Sequence, residues 1–196
     1  MEALDIVDTQ ADTPAAGRKL NATVAITVAL LATFMGICKV KDDNINQSMQ
    51  QAQANRVDHW AFYQARNVRE EVAKSTVVQL RLAAAGKPAT EQAAYQEAIK
   101  QYEKVVQDQD SKKAEARAQA EQDQKTYDAA NFKDDQFDLS DALLAIAISL
   151  LAITALTQLW ALYFAALVPT AFGVLMGLSG LAGWSLHPAA LIALLS

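Results

Sequence analysis

The sequence predicts an all-α integral membrane protein, with three transmembrane helices and a long antiparallel, coiled-coil-like helical hairpin between the first and the second. Three observations predict it. Charge is segregated along the chain: all 17 Lys and Arg lie between Arg18 and Lys133, and the 55 residues from Ala142 to Ser196 hold no Asp, Glu, Lys or Arg. A second uncharged stretch, the 19 residues from Leu20 to Cys38, stands before the polar block. That block, residues 39–140, is interrupted by Gly or Pro at one place, Gly86-Lys87-Pro88. Such segregation argues against a simple soluble enzyme. One Cys and two His exclude an internal disulfide framework and a Cys-based metal cluster, and leave little for any metal site.

Residues 1–19 read as an acidic, flexible tail. Residues 20–38 form the first span: at about 1.5 Å per residue they cover roughly 28 Å, close to the bilayer's hydrocarbon thickness of about 30 Å. Arg18 and Lys19 bound it on one side, Lys39 and Lys41 on the other. A signal-peptide core is shorter and ends at a small-residue cleavage site; Gly36-Ile37-Cys38-Lys39 offers none, so the span is expected to be retained. The uncharged tail is too long for one crossing and suits two, over 140–157 and 161–184. Gln158-Leu159-Trp160 is the expected turn, with Leu167-Val168-Pro169 as the alternative. Trp160, Tyr163 and Trp184 serve as interfacial anchors, and Pro169 falls inside the third span, where it should kink the helix. Residues 185–196, broken at Pro188, read as an apolar interfacial tail.

Residues 39–140 hold 15 basic and 17 acidic side chains. Gly and Pro cost about 1 and 3 kcal/mol inside a helix, so the single break marks the tip, Gly86–Thr90, with Thr90 as the N-cap of the second arm. The arms, Asp42–Ala85 and Glu91–Ala130, match in length and return together. In the second arm, positions stepping by four and three read Tyr95, Ile99, Tyr102, Val106, Gln109, Lys113, Ala116, Ala120, Asp123 and Tyr127. The first-arm seam is expected at Ile45, Met49, Ala52, Trp60, Val68, Val72 and Leu80. Trp60 then faces Ala116 in an alanine-rich run, large against small. Trp60, Phe62, Tyr63, Tyr95, Ile99, Tyr102, Ala116 and Ala120 are therefore candidates for hairpin packing or for contact with a partner chain. Asp108–Lys112 and Glu121–Lys125 are i,i+4 pairs of a solvated face. The near balance of charge argues against nucleic acid, which asks for a net basic surface.

The stretch Val57-Asp58-His59-Trp60-Ala61-Phe62-Tyr63-Gln64-Ala65-Arg66-Asn67-Val68-Arg69 resembles the Trp-x-Tyr-Tyr-Gln-Ala-Lys segment of a bacterial family, domain-of-unknown-function family 4337. Phe62 stands where Tyr is usual, and Arg66 where Lys is. The exit Lys39–Asp43 and Met49-Gln50-Gln51-Ala52 are also similar. The resemblance covers nearly the whole chain and implies an N-terminal span, a charged helical insert and two closing spans. It also implies a multi-pass protein of the bacterial inner membrane. In the family a basic turn between the last spans shares a side with the N-terminus; here Gln158-Leu159-Trp160 carries no charge. Counting Lys and Arg near the spans would put the hairpin in the cytoplasm, but loops beyond about 60 residues cross largely regardless of charge. The resemblance tips the balance to a periplasmic hairpin. It supplies no activity.

No phosphate-binding glycine loop, nucleophile elbow or His-Glu-x-x-His occurs. No catalytic, cofactor-binding or metal-binding residue is expected. His59 reads as a solvated residue and Cys38 as an inert buried thiol. The spans hold no ionisable Asp, Glu, Lys, Arg or His of the kind that marks ion-coupled transporters. They do hold small residues at close-packing intervals: Ala32 and Gly36, Gly173 and Gly177, Ser179 and Gly183, with Gly180 between. The expected function is that of a non-enzymatic membrane scaffold or accessory subunit, with the hairpin as contact surface. Its partners are the lipid bilayer and either further copies of the chain or another membrane protein. The alternative is a homo-oligomeric channel or transport-related protein, its pore lined by Thr23, Thr27, Ser149 and Thr154.

Overall fold

The computed structural model describes residues 15–186 and Pro188, so the expected tails are covered only at 15–19, 185–186 and 188. The described chain is all helical: α1 (Ala15–Ala84), α2 (Ala89–Thr157) and α3 (Trp160–Ala182). The tail expected before residue 20 is already helical from Ala15. All three helices contain a stretch long and apolar enough to cross a membrane.

Each boundary has a local cause. No Gly or Pro falls between Gly36 and Gly86, so nothing in the sequence stops α1 before Ala84. The chain then turns through Lys87 N–H to the Ala84 carbonyl, 3.1 Å. The Pro88 carbonyl accepts the first bonds of α2, from Glu91 (3.0 Å) and Gln92 (3.2 Å). Thr90, expected as the N-cap, lies inside α2 instead. Pro88 takes the place before the helix because it has no N–H of its own to satisfy and its φ is already fixed. Gln158 ends α2 in the left-handed region, φ 54, its N–H on the Thr154 carbonyl at 2.8 Å. α3 closes on Gly183, φ 71, with Trp184 N–H bonded back to the Ser179 carbonyl at 2.9 Å. That six-to-one bond is the glycine-terminated helix end. Pro169 lies within α3.

The chain divides into two compact units. One holds residues 1–46 and 131–196, the other 47–130. In the first, Leu20, Val24, Leu31, Leu144, Leu151 and Ala166 from all three helices form the buried cluster. Glycine lets α3 approach closely: a Cβ at Gly173 would meet Leu144 at 2.8 Å, at Gly177 the Phe34 ring at 2.7 Å, and at Gly180 the Phe137 ring at 2.8 Å. On its outer surface Ile26, Leu30, Ile153 and Leu156 are exposed.

In the second unit, cross-arm pairs run outward from the tip in nested order: Arg81–Glu103 innermost, then Arg66–Gln109 and Glu70–Lys113, which interleave, then His59–Asp123 and, outside it, Arg56–Gln124. This nesting is the signature of two arms running side by side in opposite directions.

Candidate functional site

The seam of the 47–130 unit is built differently from the expectation in its first arm. Positions turned inward step by three and four through Met49, Ala52, Arg56, His59, Tyr63, Arg66, Glu70, Ala73, Val77, Leu80 and Ala84. Trp60 is one residue, about 100°, out of this phase; it is 38% exposed rather than buried against Ala116. Val68 and Val72, also expected in the seam, are exposed. The second arm follows its expected phase except at Tyr102, which is exposed. Tyr95 is half-buried, Ile99, Ala116 and Ala120 are buried, and Phe62 stands out to solvent.

Polar groups occupy the middle of the first arm's share of the seam, at Arg56, His59, Arg66 and Glu70, between the apolar Met49 and Ala52 and the apolar Ala73, Val77, Leu80 and Ala84. Glu70, 3% exposed, is held by Lys74 at 2.7 Å and by Lys113 from the other arm. Those ammonium groups, Lys113 first, lower its carboxyl below the ordinary Glu value, and Glu70 in turn raises both lysines. Arg66 donates to Gln109 Oε1 at 3.2 Å. His59, expected to be solvated, instead meets Asp123 Oδ2 through Nδ1 at 2.6 Å. Lys112 pairs with Asp108 at 2.8 Å as expected, while Glu121 takes Arg117, at 2.8 Å, rather than Lys125.

Half a helical turn from the seam, α1 shows a different face. Val57, Ala61, Gln64, Val68 and Val72 follow the helical period and are exposed, Val68 by 62%; Val78 and Leu82, four apart on the same side of the helix, are exposed as well, Leu82 by 72%. Beside it Trp60 stacks edge-on with Tyr63, centroids 5.4 Å apart. It borders an open groove of about 550 Å³ lined by Arg56, Trp60, Gln64, Ala120 and Gln124 among others. Exposed apolar side chains gathered on one side of a helix are a feature of contact surfaces, although Gln64, Glu71, Ser75 and Gln79 stand among these.

In the other unit, three polar arrangements were not anticipated. Gln136 is fully buried and its Nε2 reaches Ser179 Oγ (3.1 Å) and the carbonyls of Trp184 (2.9 Å) and Leu186 (2.6 Å), tying α2 to the end of α3. Ser140 Oγ donates to the Gly173 carbonyl at 2.8 Å. An amide within an acid-rich stretch gives no sequence signal for such a role. The third arrangement gathers carboxyls. Asp42, 3% exposed, accepts from Lys39 Nζ at 2.8 Å. Asn46 Nδ2 reaches Asp42 Oδ1 at 3.5 Å and, across to α2, Asp134 Oδ1 at 2.8 Å. Burial first, then a hydrogen bond to Asp42 and the charges of Asp138, Asp42 and Asp135, push the Asp134 carboxyl up to about 7. Asp138 is raised too, again first by burial.

Of the small-residue positions, Gly173, Gly177, Ser179 and Gly180 are buried, and Gly183 caps α3. Ala32 and Gly36 face outward, with nothing within 4 Å of a Cβ at Gly36. The hydroxyls of Thr23, Thr27, Ser149 and Thr154 each bond a carbonyl one turn back on their own helix, and Thr27 also meets the Tyr163 hydroxyl at 3.2 Å. Among the described residues no group of three or more His, Cys, Asp or Glu is placed to hold a metal ion.

Neither a curated protein nor a solved structure is matched by the chain. A family profile is, over residues 20–183, which takes in α2, α3, all but the first residues of α1, and the seam described above. The chain therefore belongs to the family described as a domain of unknown function, DUF4337.

Proposed function

We propose that this protein is a non-enzymatic membrane scaffold or accessory subunit. Its apolar unit lies in a bacterial inner membrane, and the outward face of α1 in the 47–130 unit is its contact surface. The single observation that carries the reading is that face: Val57, Val68, Val72, Val78 and Leu82 are exposed apolar side chains on the side of α1 away from the seam. Arms without functional contacts would be expected to keep polar residues there. The reading gives the spans a packing role and places the partner, a helix of a neighbouring membrane protein or of a second copy, along the stripe. The hairpin is assigned to the periplasm, as the family's topology implies.

A photo-crosslinking amino acid at Val68, compared with one at exposed Glu115, tests the surface directly. An adduct at Val68 and none at Glu115 is expected, and native mass spectrometry of the detergent-extracted complex identifies it. A stoichiometric foreign membrane polypeptide supports the accessory subunit. A closed ring of this chain alone that passes ions across a planar bilayer overturns it in favour of the homo-oligomeric channel.

A further inference from the structure

We propose that the groove beside Trp60 receives a second copy of this chain, inserted the same way up, with α1 of each copy against α2 of the other. The inference rests on the membrane reading above, and it leaves the outward face of α1 beyond Gln64 to a different partner.

The groove is open because small residues meet there. Ala61 and Ala120 stand on opposite arms with nothing long enough to close the gap, and Trp60, 38% exposed, walls it from outside the seam. The space, about 550 Å³, has room for a bulky side chain. One level of the hairpin thus offers an exposed knob beside an apolar hollow. The charges divide in the same way. Arg56 stands on α1 and Glu121 on α2, and the bond from Arg56 to Gln124 Oε1 puts them within a turn of one level. Arg56 spends one of its five N–H groups on that bond, and Glu121 gives Oε1 to Arg117 Nε at 2.8 Å. Each keeps capacity for a second partner.

Symmetry makes this surface its own complement. Two copies inserted in the same sense are related by an axis along the membrane normal, so one side of the facing surface meets the other side at equal depth. Arg56 and Trp60 on α1 then meet the second copy's Glu121 and Ala120 on α2, twice over: cation against anion, large against small. The outward face of α1 lacks this property, since the same axis run along it sets exposed Glu71 against the second copy's Glu71.

Native mass spectrometry of the full chain, taken from membranes in polymer-bounded lipid discs, counts its copies. A dimer is expected. Arg56→Glu and Glu121→Arg should each leave mostly monomer, and the chain carrying both should be dimeric again, because each pair returns with its signs exchanged. Ala61→Trp, which fills the hollow from an exposed position, should also leave monomer and decides the matter if a charge reversal fails to fold by circular dichroism. A parent that is monomeric or larger than a dimer overturns the docking while the membrane reading stands. So does a dimer that survives the folded single variants, or one that the double reversal does not restore. A chain absent from the membrane fraction overturns the membrane reading and this docking with it.

Discussion

A glutamine in the left-handed region is an uncommon choice for the two-residue turn between α2 and α3. Gln158 has no compensating glycine freedom, and its backbone (φ 54) is one that Gly adopts without steric cost. Gln158→Gly is expected to raise stability by about 0.4–1 kcal/mol in reversible unfolding from mixed micelles, because the strain removed exceeds the entropy added to the unfolded chain. The glycines divide in the same residue-level way. Gly177→Ala should cost about 1–3 kcal/mol, since its Cβ would stand 2.7 Å from the Phe34 ring and 2.8 Å from Ser140 Oγ. Gly36→Ala, with open space around it, should gain up to about 1 kcal/mol from helix propensity. The two positions share one spacing pattern in the sequence. Spacing tells which residues permit a close approach; it does not tell which side of the helix is approached.

The two arms of the 47–130 unit differ in how well their sequences disclose their packing, and the reason is physical. In the second arm the inward positions include Tyr95, Ile99, Val106, Ala116 and Ala120, so apolar periodicity and burial coincide. In the first arm apolar residues lie on both sides: Met49, Ala52, Ala73 and Val77 turn inward with Arg56, His59, Arg66 and Glu70, while Val57, Val68 and Val72 lie outward. A reading that equates apolar with buried therefore placed Trp60, Val68 and Val72 on the wrong side. The three helices and the break around Pro88 were legible because Gly, Pro and charge are so unevenly placed; the polar cross-arm pairs were not, because each needs a partner dozens of residues away. The contrast is measurable by thermal melting. Ala120→Leu should lower the stability of this unit by about 1–3 kcal/mol, since Ala120 is 1% exposed. Val68→Ala should change it by no more than about 0.5 kcal/mol, as an exposed substitution.

At the scale of the whole molecule, pH acts through the ion pairs that hold Glu70 in the 47–130 unit. Glu70's lowered carboxyl contributes stability above the ordinary Glu value of 4.5, and that contribution is lost as pH falls through the lowered value. Segment-resolved hydrogen exchange should accordingly show the 47–130 unit loosening in acid, with Glu70→Gln removing much of that response. Orientation is a whole-molecule property too. A Cys at Lys87 in a Cys38→Ala background should react with an impermeant maleimide in cells whose inner membrane is intact; labelling that waits until that membrane is opened places the hairpin in the cytoplasm. The polar seam has one more consequence, for alignment. Slide one arm along the other by a heptad and Glu70 faces Val106 or Ala120, while Lys113 faces Tyr63 or Val77: each slip parts the cross-arm pair and leaves Glu70 with Lys74 and Lys113 with Asp110 on their own helices. An all-leucine seam would tolerate such slips and populate several of them. Here each wrong register breaks the Glu70–Lys113 pair that joins the arms, so the seam acts as a key cut for one lock position, trading some holding strength for a single way to close.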